Sequence, residues 1–359
     1  MTSDFATPTT PTTTSTTDSV PVEAPLLWYR DPISCLQSTF ASVLDRAGVN
    51  PLFALGAGWE FLYVPDDVRS EEFYYPCRYE GDLGRSLFPH HDVSSSWWCP
   101  ADPDDPLREI REAMTEGRLV IAAVDNFYLP FRPAFGDVHA AHLLVVYGLD
   151  ERRGLVHVSD AMPPAFQGPI PLDDFLNSWG SANPQDHQDA FFSDSEISRR
   201  CLSVSVGSLG GAGTDPGPEQ FAGWLRGNLE RFDDPGMVAG LGGLAGLDGF
   251  LGELTLRARA GEVRALQELY PFGWGMQAQA ALHGELLRDR GAAWRSPALA
   301  GAGRAVESVA HAWTPLRITA AHGLDDPAAA ADDLRRHAGV LRWRHTEAIE
   351  AVRRALDEL

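Results

Sequence analysis

The chain contains no lysine: all 29 of its basic residues, among 359 in total, are arginine. That absence removes Schiff-base chemistry, a lysine general base and the phosphate-binding lysine of a P-loop together. Positive charge of any kind is scarce. Against the 29 arginines stand 50 Asp and Glu, giving a net charge of −21, a balance that repels a phosphate backbone, so no nucleic-acid partner is expected. There are only four cysteines, Cys35, Cys77, Cys99 and Cys201, and no C-x-x-C pair. So few and so widely spaced, they make a poor disulfide framework and read as the reduced thiols of a cytoplasmic protein. No uninterrupted apolar run is long enough to span a bilayer, so no membrane partner is expected. Residues 1–25, rich in Thr, Pro and Ser, lack the basic and apolar regions of a signal peptide and read as a disordered tail.

What remains is globular in composition, 44% hydrophobic and 22% charged, and long enough for two cores. Residues 26–206 mix periodicities. A helix is expected at 36–47, and a second at 106–116 with Leu107, Ile110 and Met114 on one face. Strands are expected at 119–124, 142–149, 155–160 and 202–206. The polar segment from Asp150 to Gly154 reads as the loop of a hairpin. Residues 207–218, rich in Gly, Ser and Pro, form an expected linker. Residues 219–359 then show helical periodicity only, in segments at 219–230, 249–259, 262–270, 276–289, 301–312 and 327–357.

Cys35 follows a turn, Asp31-Pro32, and precedes an amphipathic run in which Leu36, Phe40, Val43 and Leu44 recur at helical spacing. It therefore opens a helix, where free N–H groups and the positive end of the dipole favour a thiolate. The stretch Asp137-Val-His139-Ala-Ala-His142 leads into a strand. Side chains three apart on a strand point to opposite faces, which weakens an H-x-x-H zinc reading; His142 begins the strand and His139 falls in the loop before it. Folding the hairpin about Arg152 sets Asp160 across from His142 or one step diagonal to it, near enough to fix the imidazole tautomer. Cys35, His142 and Asp160 thus make a nucleophile, a base and an orienting acid.

Other positions carry weaker signals. Gly56-x-Gly58 lacks a third glycine and follows a helix, so it reads as a turn rather than a dinucleotide fingerprint. Cys77, His90, His91 and Cys99 match no common zinc spacing, and no metal is expected. The Cys35 N–H can donate to an oxyanion, with Gln37, Asn126 and Tyr29 as candidates for the second donor. Asp125 ends a buried strand and either binds an acceptor amine or caps a turn. Trp97, Trp98, Phe127 and Tyr128 are core residues or line an acyl channel. Asn126, Tyr128 and His139 join Gln37 and Asp125 as expected substrate-binding residues. Arg335, Arg336, Arg342, Arg344, Arg353 and Arg354 form a solvated helix face that could also dock an acidic partner.

The stretches Cys35-Leu-Gln-Ser-Thr, Leu55-Gly-Ala-Gly-Trp-Glu-Phe-Leu-Tyr63, Val124-Asp-Asn-Phe-Tyr-Leu-Pro130, the His139/His142 strand and Val158-Ser-Asp160 together resemble the N-terminal domain of the butirosin biosynthesis protein H family. The helical remainder is similar to the domain that often follows it. The resemblance implies an α+β, papain-like cysteine domain followed by an all-helical domain. It further implies an acyltransferase of secondary-metabolite, or antibiotic, biosynthesis that carries an acyl group from an acyl or peptidyl carrier protein to a small-molecule amine through acyl-Cys35. Phosphopantetheine would enter only as part of the donor, with no resident cofactor, and a homodimer is left open. Two departures stand out: Ser34 replaces the His that commonly precedes the family's Cys, and Trp28, Tyr29 and Arg30 occupy the region where papain-like enzymes place an oxyanion Gln. The alternatives are a cysteine amidohydrolase, peptidase or cyclase using the same three residues, and a non-catalytic scaffold for a carrier protein.

Overall fold

Ser34 caps the first helix, α1 (Cys35–Arg46): its N–H donates to Gln37 Oε1 at 2.9 Å, closing a capping box. In this computed structural model, which describes residues 23–64, 78–79, 81–207, 215–233 and 241–359, that cap fixes where Cys35 sits. Leu36, Phe40, Ala41 and Leu44 turn inward from α1. They meet Leu143, Val145 and Tyr147, alternate residues of one strand, as period-2 geometry requires. A short helix, α2 (Pro51–Leu55), follows with Asn50 as its cap and Pro51 in its first turn.

The sheet is antiparallel throughout, in the order β2 (Val93–Trp98), β7 (Cys201–Val206), β3 (Val120–Asp125), β4 (Ala141–Asp150), β5 (Leu155–Asp160) and β6 (Phe166–Pro171). α1 covers one face. The other is covered by α4 (Arg108–Thr115) and α5 (Leu172–Trp179), which bury Ile110, Met114, Phe175 and Trp179 against Ala122, Val124, Leu144 and Val158. A helix α3 (Leu83–Leu87) lies beside β2. The expected strands and both expected helices of this region are present within a few residues of their anticipated ends. β2, β6 and α5 were not anticipated. β2 is serine-rich, and β6 carries Pro169 and Pro171, which an edge strand tolerates because one row of its N–H groups need not be paired.

The described residues beyond β7 are mainly helical: α6 (Pro218–Asp233), α7 (Gly243–Arg259), α8 (Val263–Ala293), α9 (Pro297–His322) and α10 (Pro327–Asp357). The fold class is therefore α+β followed by helices. The expected separate helices at 262–270 and 276–289 are a single helix that runs through Pro271. Proline usually ends a helix by removing a hydrogen bond and crowding the previous turn. Here tertiary packing of Phe272 and Met276 into the bundle core carries the helix past it.

The two regions interlock. β1 (Leu62–Tyr63) pairs antiparallel with β8 (Leu241–Gly242), and Trp59, Phe61 and Tyr63 lie in the bundle core beside Phe250 and Phe272. The entry of this segment is held by buried polar contacts. His283 Nδ1 donates to the Gly56 carbonyl at 2.7 Å, Asn228 Nδ2 donates to the Ala57 carbonyl at 2.9 Å, and Glu60 N–H donates to Gln279 Oε1 at 3.1 Å. Gly56 is required for close approach: a Cβ there would lie 2.8 Å from the Leu282 carbonyl and 2.9 Å from Leu286 Cβ. The Gly56-x-Gly58 signal thus marks helix-to-helix contact rather than a nucleotide.

Candidate active site

His142 is the second residue of β4, and Asp160 the last of β5. The pairing runs Val145 to Ser159 and Val146 to Val158, then slips by one at a bulge beyond Val146. Continued toward the open end, it sets Asp160 opposite Leu144, on the face of His142 and two residues along, the diagonal that long side chains bridge. His142 Nε2 donates to Asp160 Oδ2 at 2.7 Å, in a buried setting. That leaves Nδ1 for the thiol, and the Cys35 side chain lies near enough to His142 to act on its charge.

Electrostatics favour the charged ring. Burial pulls the His142 pKa down, but the Asp160 carboxylate and then the Cys35 sulfur raise it from 6.5 to about 9. Asp160 feels the converse. Burial pushes its pKa up, yet His142, Arg132 and the Met162 N–H together hold it below the ordinary value. A histidine held by a carboxylate on one side with a cysteine sulfur nearby is an arrangement that can support a cysteine nucleophile.

The pair opens on a cavity of about 150 Å³ lined by Ser34, Cys35, Leu36, Gln37, Asn126, Arg132, Ala140, Ala141, His142, Met162, Asp189, Phe192, Pro271, Trp274 and Gly275. Of the candidate donors, Gln37 and Asn126 reach this cavity and Tyr29 does not. Gln37 spends its amide oxygen on the Ser34 N–H and Oγ, so its NH₂ end is the one left to donate. Asn126 Oδ1 is buried without a partner.

Other expected substrate contacts sit elsewhere. Asp125, expected either at an acceptor amine or as a turn cap, is fully buried and takes the second role, capping the turn at Asn126–Tyr128. It accepts from His139 Nδ1 at 2.6 Å, Ser181 Oγ at 2.6 Å, Phe127 N–H at 3.0 Å and Ala140 N–H at 3.2 Å. It is a structural acid that organises the loop before β4. His139 belongs to that loop, its ring stacked on Phe127 at 4.2 Å, and Tyr128 packs edge-on to Phe127. Neither lines the cavity. Trp97 and Trp98 lie on β2, at the opposite edge of the sheet from the hairpin side. Among the described residues no group of three or more His, Cys, Asp or Glu is placed to hold a metal. Cys77 lies outside those residues. Cys99 is exposed, and Cys201 is buried with its pKa pushed well up by desolvation.

Three features of the site escaped the sequence. Arg132 Nη1 donates to Asp160 Oδ2 at 3.2 Å and to the Met162 carbonyl at 3.2 Å, clamping the orienting acid. Asp189 lines the cavity from an irregular loop. The helical region supplies a wall: Trp274 Nε1 donates to the Pro32 carbonyl at 2.9 Å, tying α8 to the turn before Cys35, and Phe192 packs edge-on to Trp274 at 5.9 Å. None of these has a local pattern; the nearest signal was the proline interrupting a helix.

A larger groove, about 530 Å³, lies between α9 and α10 and is lined by small residues with Arg304, Arg344 and Arg354, but it holds no nucleophile. Of the six C-terminal arginines, Arg335, Arg336, Arg342, Arg344 and Arg353 are ion-paired with Asp332, Asp333, Asp248, Glu347 and Asp233. The face is therefore largely self-neutralised. No helix among the described residues is long and apolar enough to cross a membrane.

Residues 34–161 match the family model described as butirosin biosynthesis protein H, N-terminal. The match begins one residue before Cys35 and ends one residue after Asp160, enclosing both strands of the hairpin and α1. It supports the family resemblance carried by the sequence motifs and connects this segment with antibiotic biosynthesis. No curated protein matches the chain.

Proposed function

We propose that the protein is a cysteine-dependent acyltransferase of natural-product biosynthesis, moving an acyl group from a thioester to an amine through acyl-Cys35. The observation that carries this reading is the His142 ring, hydrogen-bonded to Asp160 and sharing the wall of one cavity with Cys35, whose sulfur acts on its charge. The Cys35 thiolate attacks the thioester carbonyl. The oxyanion that forms accepts from the Cys35 N–H and from Gln37 Nε2. His142 gives its proton to the departing thiolate, leaving acyl-Cys35 and a neutral ring. The amine then attacks the acyl carbon, His142 Nδ1 takes its proton, and the intermediate collapses to an amide and the original thiolate–imidazolium pair. A thioester suits this machinery because exchange between two thiols is nearly energy-neutral, whereas an amide donor would need its leaving nitrogen protonated.

The family resemblance implies a carrier-bound donor. The self-neutralised C-terminal face and a net charge of −21 favour instead a free small-molecule thioester, since carrier proteins are commonly acidic. Incubation with acyl-pantetheine and with acyl-carrier thioesters, followed by intact mass measurement, separates the two. The expected result is a gain of one acyl mass on Cys35 that disappears in Cys35→Ser. No gain on the wild type from either donor class, or undiminished turnover in Cys35→Ser, sinks the proposal.

A further inference from the structure

Four side chains that line the cavity can carry charge: Cys35, His142, Arg132 and Asp189. The first two form the nucleophilic pair, and Arg132 is committed to Asp160. Asp189 is the acid with capacity left over, while Arg132 keeps a buried Nε without a partner. Its Oδ1 accepts from the Phe191 and Phe192 N–H groups, each at 2.9 Å, which fixes the carboxylate in place. Its Oδ2 has no hydrogen-bond partner among the described residues. Burial and the nearby Asp186 raise its pKa, partly offset by those two N–H groups. This half-buried carboxylate has lost part of its water without gaining a cation, a condition relieved by a positively charged ligand.

The surroundings suit an ammonium group. Phe192, Pro271 and Trp274 share the wall with Asp189, the Trp274 ring already carrying the Arg317 guanidinium on one face at 4.7 Å, and a carboxylate beside aromatic rings is the chemistry that binds organic cations. An aliphatic amine in neutral solution is almost wholly protonated, so it enters as a cation and gives one proton to the Asp189 carboxylate or to solvent before it attacks, His142 taking the second. The net charge of −21 also draws cations toward the protein.

We propose that Asp189 anchors a cationic subsite on the wall shared with the helical region, receiving the amine substrate as its ammonium form. In identifying that amine with the acyl acceptor the proposal rests on the acyl-transfer reading; the subsite itself does not. It also gives the helical region a task, since Trp274 and Pro271 complete the subsite.

The test uses the full chain and two thiol reagents of matched shape, 2-aminoethyl and 2-hydroxyethyl methanethiosulfonate. Each transfers its S-alkyl group to Cys35 Sγ as methanesulfinate leaves, and peptide mapping reads the rate at Cys35 alone. In Asp189→Asn the oxygen that accepts from Phe191 and Phe192 is retained while the charge is lost. The expected result is a fall of about tenfold in the cationic-to-neutral rate ratio, the scale of a lost charge-assisted contact, with the neutral rate unchanged. An unchanged ratio overturns the proposal, as does a neutral rate that falls in step with the cationic one, which would mark a structural role. Failure of the acyl-transfer reading looks different: thioesters leave no mass on Cys35 while the charge preference still depends on Asp189.

Discussion

Asp160→Asn is the most informative single change at this site, because it removes one charge from a line of alternating charges. His142 has its pKa raised from 6.5 to about 9 against the pull of burial. At about 1.4 kcal/mol per pH unit, that rise is a net preference for imidazolium of about 3 kcal/mol. A unit charge at about 4 Å in an effective dielectric of about 20 is worth about 4 kcal/mol. Asp160 is the largest of the raising contributions, although burial opposes it more strongly and the Cys35 sulfur must add to it before the pKa rises. Asparagine keeps an oxygen to accept from Nε2–H but not the charge. It also leaves the Arg132 guanidinium, now 3.2 Å from Asp160 Oδ2, without its counter-ion. The stranded cation then repels the imidazolium, so the His142 pKa should drop to 6.5 or below. Histidine-selective NMR titration measures this directly, with acylation of Cys35 followed by mass at neutral pH. Acylation should slow by about a hundredfold or more as the thiolate–imidazolium pair is lost. Adding Arg132→Met to Asp160→Asn should bring the pKa part of the way back up. A ring that still titrates near 9 in Asp160→Asn would refute the reasoning, as would a double variant indistinguishable from the single one.

Gln37→Glu keeps the oxygen that accepts from Ser34 but removes the NH₂ donors; acylation should slow by about a hundredfold with little change in thermal stability, and an unaltered rate would remove Gln37 from the oxyanion site. Gly56→Ala forces a methyl group against the Leu282 carbonyl and Leu286, so urea unfolding should show a loss of about 1–3 kcal/mol, and an unchanged midpoint would mean that α8 can move away. His90, His91, His283 and His345 are each held neutral by burial, with pKa values lowered to about 4. Between about 6.5 and 4 the unfolded chain binds protons there that the folded one does not, so stability should fall as the pH drops through that window, by up to about 1.4 kcal/mol per pH unit for each histidine. Urea midpoints at pH 7 and pH 5 check this, and equal midpoints would show that these rings gain water or partners in solution.

Much of the hairpin was legible because strands have a strict period. Once the loop at Asp150 to Gly154 was recognised, the two strands had to meet, and parity alone put His142 and Asp160 on one face. The bulge beyond Val146 was invisible, since one extra residue leaves no mark on composition, but the diagonal reach of the side chains absorbed it. The expectation of separate helices at 262–270 and 276–289 failed for a complementary reason that turns on Pro271. Its helix-breaking tendency is local, whereas the packing of Phe272 and Met276 that overrides it comes from residues far along the chain. Asp125 left both readings open because a polar residue ending a buried strand looks the same in sequence whether it faces a cavity or, as here, a histidine, a serine and two N–H groups.

The sequence by itself determined that α1 begins at Cys35, that a hairpin carries His142 and Asp160, and that helices fill the C-terminal region, because capping, turn chemistry and periodicity act over a few residues. Tertiary structure decided what surrounds the sulfur. Arg132 reaches Asp160 across 28 positions and Trp274 reaches Pro32 across 242, and Asp189 joins their cavity from a loop with no period at all. Contacts over such separations are set by the packing of whole elements, which no local pattern encodes.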